Sequence, residues 1–157
     1  MAEIPHILIV DDEEDVRETL KSVLKSMNFE PYTAANGVEA LEVIKNKQVD
    51  VVLSDLYMPE MDGIELLRRV RSHDKNMVFV MITAHPTIET AVEAIKKGAY
   101  DYLTKPFHIE EVRLKITRAL EKRGLSSSLK TANGIIWALL ISIPIWLILG
   151  IILASLL

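Results

Sequence analysis

Cysteine is missing from all 157 residues. That excludes disulfides, thiol nucleophiles and Cys-ligated zinc. A basic run is missing as well, and the net charge is −4, which argues against nucleic acid as a partner. The N-terminus does not read as a secretory signal. Its first apolar stretch, Ile7 to Val10, is too short, and Asp11, Asp12, Glu13 and Glu14 follow at once. Charge is what the other end lacks. No acidic residue lies beyond Glu121, and beyond Arg123 the only Lys or Arg is Lys130. Residues 1–123 hold 17 of the 18 Lys+Arg and all 22 Asp+Glu, so they carry −5 and the remainder +1. Two physical regimes share one chain.

Within residues 1–123 apolar runs alternate with amphipathic segments. Ile7-Leu8-Ile9-Val10 reads as a buried strand ending in Asp11-Asp12. Glu13 to Met27 has helical spacing, with Val16, Leu20, Val23, Leu24 and Met27 as its stripe and acids in its first turn. Phe29 to Ala34 is a second strand, and Asn36-Gly37 the turn after it. Val38 to Lys47 is helical with Val38, Leu41, Val43 and Ile44 inward. Val51 to Leu53 is a third strand. Ile64 to Arg71 is a helix with Ile64, Leu67 and Val70 inward and Arg68, Arg69 and Arg71 outward. Met77 to Ile82 is a fourth strand. A helix over Thr87 to Lys97 has Ile88, Ala91, Val92 and Ile95 on one face, stopped by Gly98. Tyr100 to Leu103 and His108 to Arg123 complete the set as strand and helix. Five strands alternating with five helices predict a doubly wound α/β domain with a parallel sheet covered on both faces.

Gly124-Leu125-Ser126-Ser127-Ser128 has linker composition, and residues 124–134 are taken as the linker. Residues 135–157 contain no charge and only Ser142 and Ser155 as polar side chains. About 20 apolar residues suffice to cross a bilayer. The eight Ile and seven Leu of this run sum to roughly −5 to −9 kcal/mol on an insertion scale, offset in part by Pro144 and Gly150. The expectation is a single transmembrane helix over 135–157. Lys122, Arg123 and Lys130 precede it and nothing charged follows, so the N-terminal domain is expected in the cytoplasm, and the run, as the last part synthesised, is expected to be a tail anchor.

Ligand sites in open α/β sheets lie beyond the C-terminal ends of the strands. Here those ends gather Asp11 and Asp12, Asp55, Thr83 and Lys105. Crowded carboxylates repel unless a cation sits among them, and hard oxygen ligands with open water positions suit Mg²⁺. Lys105 adds a point positive charge and Thr83 a hydroxyl donor, both suited to phosphoryl oxygens. The assembly predicts an aspartyl-phosphate site with Asp55 as nucleophile. Each residue alone also fits a cap, a strand end or a solvated lysine. Their coincidence at successive strand ends favours the site. His6, His73 and His108 show no ligand spacing.

Residues 4–123 resemble the receiver domain of two-component response regulators. The resemblance rests on Ile7 to Glu13, on Asp55-Leu56-Tyr57-Met58-Pro59-Glu60-Met61-Asp62-Gly63, on Ile82-Thr83-Ala84 and on Gly98 to Phe107 with its Lys105-Pro106. It implies a flavodoxin-like five-stranded sheet of order 2-1-3-4-5. It implies phosphorylation of Asp55 by a sensor histidine kinase or phosphotransfer protein. Mg²⁺ would be held by Asp12, Asp55 and the Tyr57 backbone carbonyl, with Asp11 acting through water. Thr83 and Tyr102 would be switch residues, and Tyr57 and His85 would tune phosphoryl lifetime. Such a domain hydrolyses its own phosphate and needs no external substrate, so enzymatic activity is not expected. The leading expectation is a membrane-tethered switch, with phosphorylation-dependent homodimers through the fourth helix, fifth strand and fifth helix. The alternative is a phosphorylation-independent membrane scaffold. A haloacid dehalogenase-type hydrolase is disfavoured, because it needs a second carboxylate two residues after the nucleophile, where Tyr57 stands.

Overall fold

Strand-forming runs in this chain have side chains that alternate between two hydrophobic layers, and the sheet is the surface between them. The computed structural model describes residues 4–124. Strands β1 (His6–Val10), β2 (Glu30–Ala34), β3 (Val51–Asp55), β4 (Val78–Thr83) and β5 (Asp101–Thr104) form one sheet of order β2-β1-β3-β4-β5. All four pairings are parallel. Between them run α1 (Glu14–Ser26), α2 (Gly37–Asn46), α3 (Gly63–His73) and α4 (Ile88–Lys96). A fifth helix, α5, covers residues 109–124. The doubly wound, flavodoxin-like sheet expected from the sequence is therefore present.

Along β1, Leu8 and Val10 join one core layer while Ile7 and Ile9 join the other, as the two-residue period of a strand requires. The first layer adds Val52, Phe79 and Met81 from the sheet with Ala40, Leu66, Leu67, Val70 and Ala94 from α2, α3 and α4. The second adds Val51, Leu53, Val80 and Ile82 with Leu20 and Leu24 of α1 and Val112, Ile116 and Ala119 of α5. Every residue of β3 and β4 is buried. Each fully buried aliphatic side chain contributes about 1.5–3 kcal/mol.

Helix starts follow their capping residues. Asn36 accepts from the Glu39 amide, Asp62 from the Glu65 amide, and Thr87 forms a reciprocal capping box with Thr90. Gly98, at φ +102°, ends the α4 segment in the left-handed region.

Three assignments of helix faces differ from the sequence reading. Val38 is 52% exposed, and Ala40 takes the inward position on α2. Ile88, Val92 and Ile95 of α4 face solvent, while Ala94 is buried. Helical spacing shows which side chains share a face but not which face meets the sheet. Arg71 turns in rather than out. Its Nε and Nη2 donate to the Gly98 carbonyl at 3.2 and 2.7 Å, and its Nη1 donates to the carbonyls of Met77 and Asp74.

Among the described residues, no helix is long and apolar enough to cross a membrane. The expected transmembrane helix over 135–157, and the linker beyond Gly124, lie outside the described residues.

Candidate phosphoryl-acceptor site

Parallel pairing brings the C-terminal ends of β1, β3, β4 and β5 to one edge. The Leu56 amide donates to the Ile82 carbonyl at 2.8 Å, and the Lys105 amide to the Thr83 carbonyl at 2.7 Å. These bonds extend the ladder past the strand ends and place the side chains that follow.

Asp55 is buried at 6% exposure. Its Oδ1 accepts from the Leu56 amide at 2.8 Å, and its Oδ2 lies 3.3 Å from Lys105 Nζ. Asp11 is fully buried; its Oδ1 accepts from the Glu13 amide at 3.0 Å. Asp11 Oδ2 lies 2.7 Å from Lys105 Nζ as an ion pair, yet it has no partner in hydrogen-bond geometry. Asp12 is exposed, and a carboxylate oxygen from each of Asp11, Asp12 and Asp55 lies within 4.8 Å of the others. Asp11, Asp12, Asp55 and Lys105 are thus brought together.

Burial pushes the Asp55 carboxyl above its ordinary value of 3.8; Asp11 adds to this, while Lys105 and the Leu56 amide oppose it. Burial pulls the Lys105 ammonium down, but the carboxylates of Asp11 and Asp55 outweigh it and hold it above the ordinary lysine value. One cation cannot fully compensate two buried carboxylates. A buried Asp11 oxygen that is ion-paired but not hydrogen-bonded, within an all-oxygen donor set, fits a hard divalent cation.

Thr83 is buried at the end of β4, where its Oγ1 accepts from the His85 amide at 3.2 Å. Tyr102 is half-buried on β5, and its hydroxyl meets Thr90 Oγ1 of α4 at 3.2 Å. The side chains of Tyr57 and His85 are exposed beside the site. The Lys105–Pro106 peptide is cis.

Two contacts were not assigned a role from sequence. Glu13 Oε1 lies 3.4 Å from Lys105, although Glu13 is largely exposed. Its position directly after Asp11-Asp12 was the available signal. Thr90, which joins the α4 cap to Tyr102, carried none, because the contact spans two elements.

A family model for the response regulator receiver domain matches residues 7–117. The chain is similar to the regulatory protein AtoC of Escherichia coli strain K12, with 42% identity over 130 residues, covering 83% of this chain and 28% of AtoC. This chain thus spans under a third of that relative's length. It superposes on NtrX from Brucella abortus, solved in complex with ADP, with a TM-score of 0.78 and 35% identity over 82% of this chain and 30% of that one. The beryllofluoride-activated NtrC4 receiver domain dimer gives a TM-score of 0.72 and 37% identity, covering 75% of this chain and 98% of that one. With its parallel sheet, its acidic cluster and its lysine at the β5 end, this chain belongs to the response regulator receiver domain family.

Proposed function

We propose that this receiver is a phosphorylation switch of a two-component phosphorelay, phosphorylated on Asp55 by a sensor histidine kinase or phosphotransfer protein and tethered to a membrane by residues 135–157. The observation that carries this reading is the buried Asp55 carboxylate, 3.3 Å from Lys105 and clustered with Asp11 and Asp12. Asp55 Oδ2 forms the new O–P bond as the N–P bond of a phosphohistidine breaks, and the electron pair of that bond returns to the imidazole. Lys105 offsets charge on the incoming phosphoryl oxygens. Asp12, Asp55 and the Tyr57 carbonyl would hold Mg²⁺, with Asp11 acting through water. When bound, the ion neutralises charge on the transferring group.

After transfer, Thr83 gives its hydroxyl proton to a phosphoryl oxygen as a hydrogen bond. Tyr102 exchanges its contact with Thr90 for an inward position. Tyr57 and His85, exposed at the rim, tune access of hydrolytic water and hence phosphoryl lifetime. The chain turns over its own phosphate and acts on no external substrate. The exposed Ile88, Val92 and Ile95 of α4 with Ile109 and Leu114 of α5 supply an apolar face for phosphorylation-dependent pairing through α4, β5 and α5. The activated NtrC4 receiver, a dimer, supports that reading. The charge-free run over 135–157, preceded by Lys122, Arg123 and Lys130, supports a single-pass tether with the receiver cytoplasmic.

Residues 4–124 contain all five strands and both core layers, and the NtrC4 receiver is solved as a separate chain of which 98% is covered. Residues 1–124 therefore suit solution tests. Acetyl phosphate with Mg²⁺ is expected to add one phosphoryl group by intact mass, and Asp55→Asn to abolish it. Absence of the adduct on the wild-type domain would overturn the phosphoacceptor reading. The tether is tested separately: the full chain should remain in alkali-washed membranes, and removal of residues 125–157 should release it.

A further inference from the structure

Helices α2 and α3 leave a groove of about 520 Å³ between them, lined by Leu41, Ile44, Lys45, Arg69, Val70, Ser72 and His73. None of these residues belongs to the acidic edge. We propose that this groove is a second ligand site, which takes a small amphipathic carboxylate: an alkyl or aryl chain ending in a negative group. The volume falls within the range of small-molecule sites, which are mostly apolar with a few polar groups that set orientation.

The floor is hydrocarbon. Val70 is buried, and Leu41 and Ile44 are half-exposed where they leave the first core layer. The rim is basic. Lys45, Arg69 and His73 line the groove and no carboxylate does, in a chain whose net charge is −4. The side chains of Lys45 and His73 make no hydrogen bond or ion pair among the described residues. Arg69 shares Glu65 with Arg68, one carboxylate between two guanidinium groups, so a positive charge remains there. A bare inorganic anion would gain nothing from Leu41, Ile44 and Val70. A neutral hydrocarbon would gain nothing from Lys45. A chain with a carboxylate at one end satisfies both halves of the groove.

The test titrates octanoate, and octanol as its neutral counterpart, into residues 1–124 with methyl NMR as readout. Saturable shifts centred on Leu41, Ile44 and Val70 are expected, with octanoate binding about fivefold tighter than octanol, the worth of one exposed ion pair. Lys45→Gln together with Arg69→Gln should remove that preference and leave octanol binding unchanged, whereas Leu41→Ala should weaken both. Equal affinity for the two probes would overturn the proposal. So would shifts centred on Ile88, Val92 and Ile95, or an octanoate preference that survives the paired Lys45→Gln and Arg69→Gln substitutions. Phosphorylation of Asp55 plays no part in this test.

Discussion

Asp55 is held where its charge costs free energy. The folded state binds its proton more tightly than the unfolded chain does, because burial raises its pKa above 3.8. The unfolded state therefore carries fewer Asp55 protons over this range, and stability falls as pH rises from 3.8 through the raised value. At neutral pH the ionised side chain is a net destabiliser of the unliganded domain. Asp55→Asn is expected to raise stability at neutral pH, with the gain shrinking on acidification, measured by urea unfolding at several pH values. An Asn variant no more stable than wild type at neutral pH would contradict the burial argument. Gly63 is constrained from the other side: a Cβ there would collide with the Asp55 carbonyl oxygen and approach Met81 Sδ to 2.8 Å. Gly63→Ala should cost about 1–3 kcal/mol by overpacking. It should also slow phosphoryl uptake by acetyl phosphate, because the obstructed atom belongs to the backbone of Asp55.

Among the elements, α3 and α4 are tied through one side chain. The guanidinium of Arg71 forks onto the Gly98 carbonyl and reaches those of Met77 and Asp74. Arg71→Met would strip these carbonyls of their donor, at a cost of about 1–3 kcal/mol. Arg71→Lys should recover little, since a point ammonium cannot reproduce the planar fork. At the other end of α4, Thr90 serves the capping box and the Tyr102 hydroxyl together. Tyr102→Phe removes only the second contact. It should change stability by less than about 1 kcal/mol, yet tighten apparent beryllofluoride binding about fivefold, by releasing the ring from the conformation seen here. Unchanged beryllofluoride affinity would mean that Thr90 and Tyr102 merely touch.

For the molecule as a whole, the exposed α4 stripe has consequences only if a partner covers it. Ile88 is 80% exposed, and its replacement by Lys should leave the unfolding free energy of the isolated receiver within about 0.5 kcal/mol. The same variant should abolish dimers formed with beryllofluoride in sedimentation velocity. A destabilised monomer, or dimers that persist, would remove α4 from the pairing surface. The proposed membrane tether would raise the local concentration of that face, so on that proposal pairing is expected to be stronger at a membrane than in solution.

What the sequence determined alone was the order of elements and the chemistry at their ends. Strand-length apolar runs that stop at Asp11, Asp55 and Thr83, with Lys105-Pro106 after the fifth, leave a parallel α/β sheet little freedom in where those residues go. Capping at Asn36, Asp62 and Thr87 is equally local, because each cap contacts an amide three residues on. The tertiary structure decided what depends on distance in space. It turned the Ile88, Val92 and Ile95 face to solvent, because Ala94 fits under α4 at the sheet. It drew Arg71 inward, because the carbonyls of Gly98 and Met77 lie within its reach. It also left Asp11 Oδ2 buried without a hydrogen bond beside a lysine shared with Asp55. Periodicity measures the angle between side chains on one helix. Which of those angles meets the rest of the protein is set only when the elements pack.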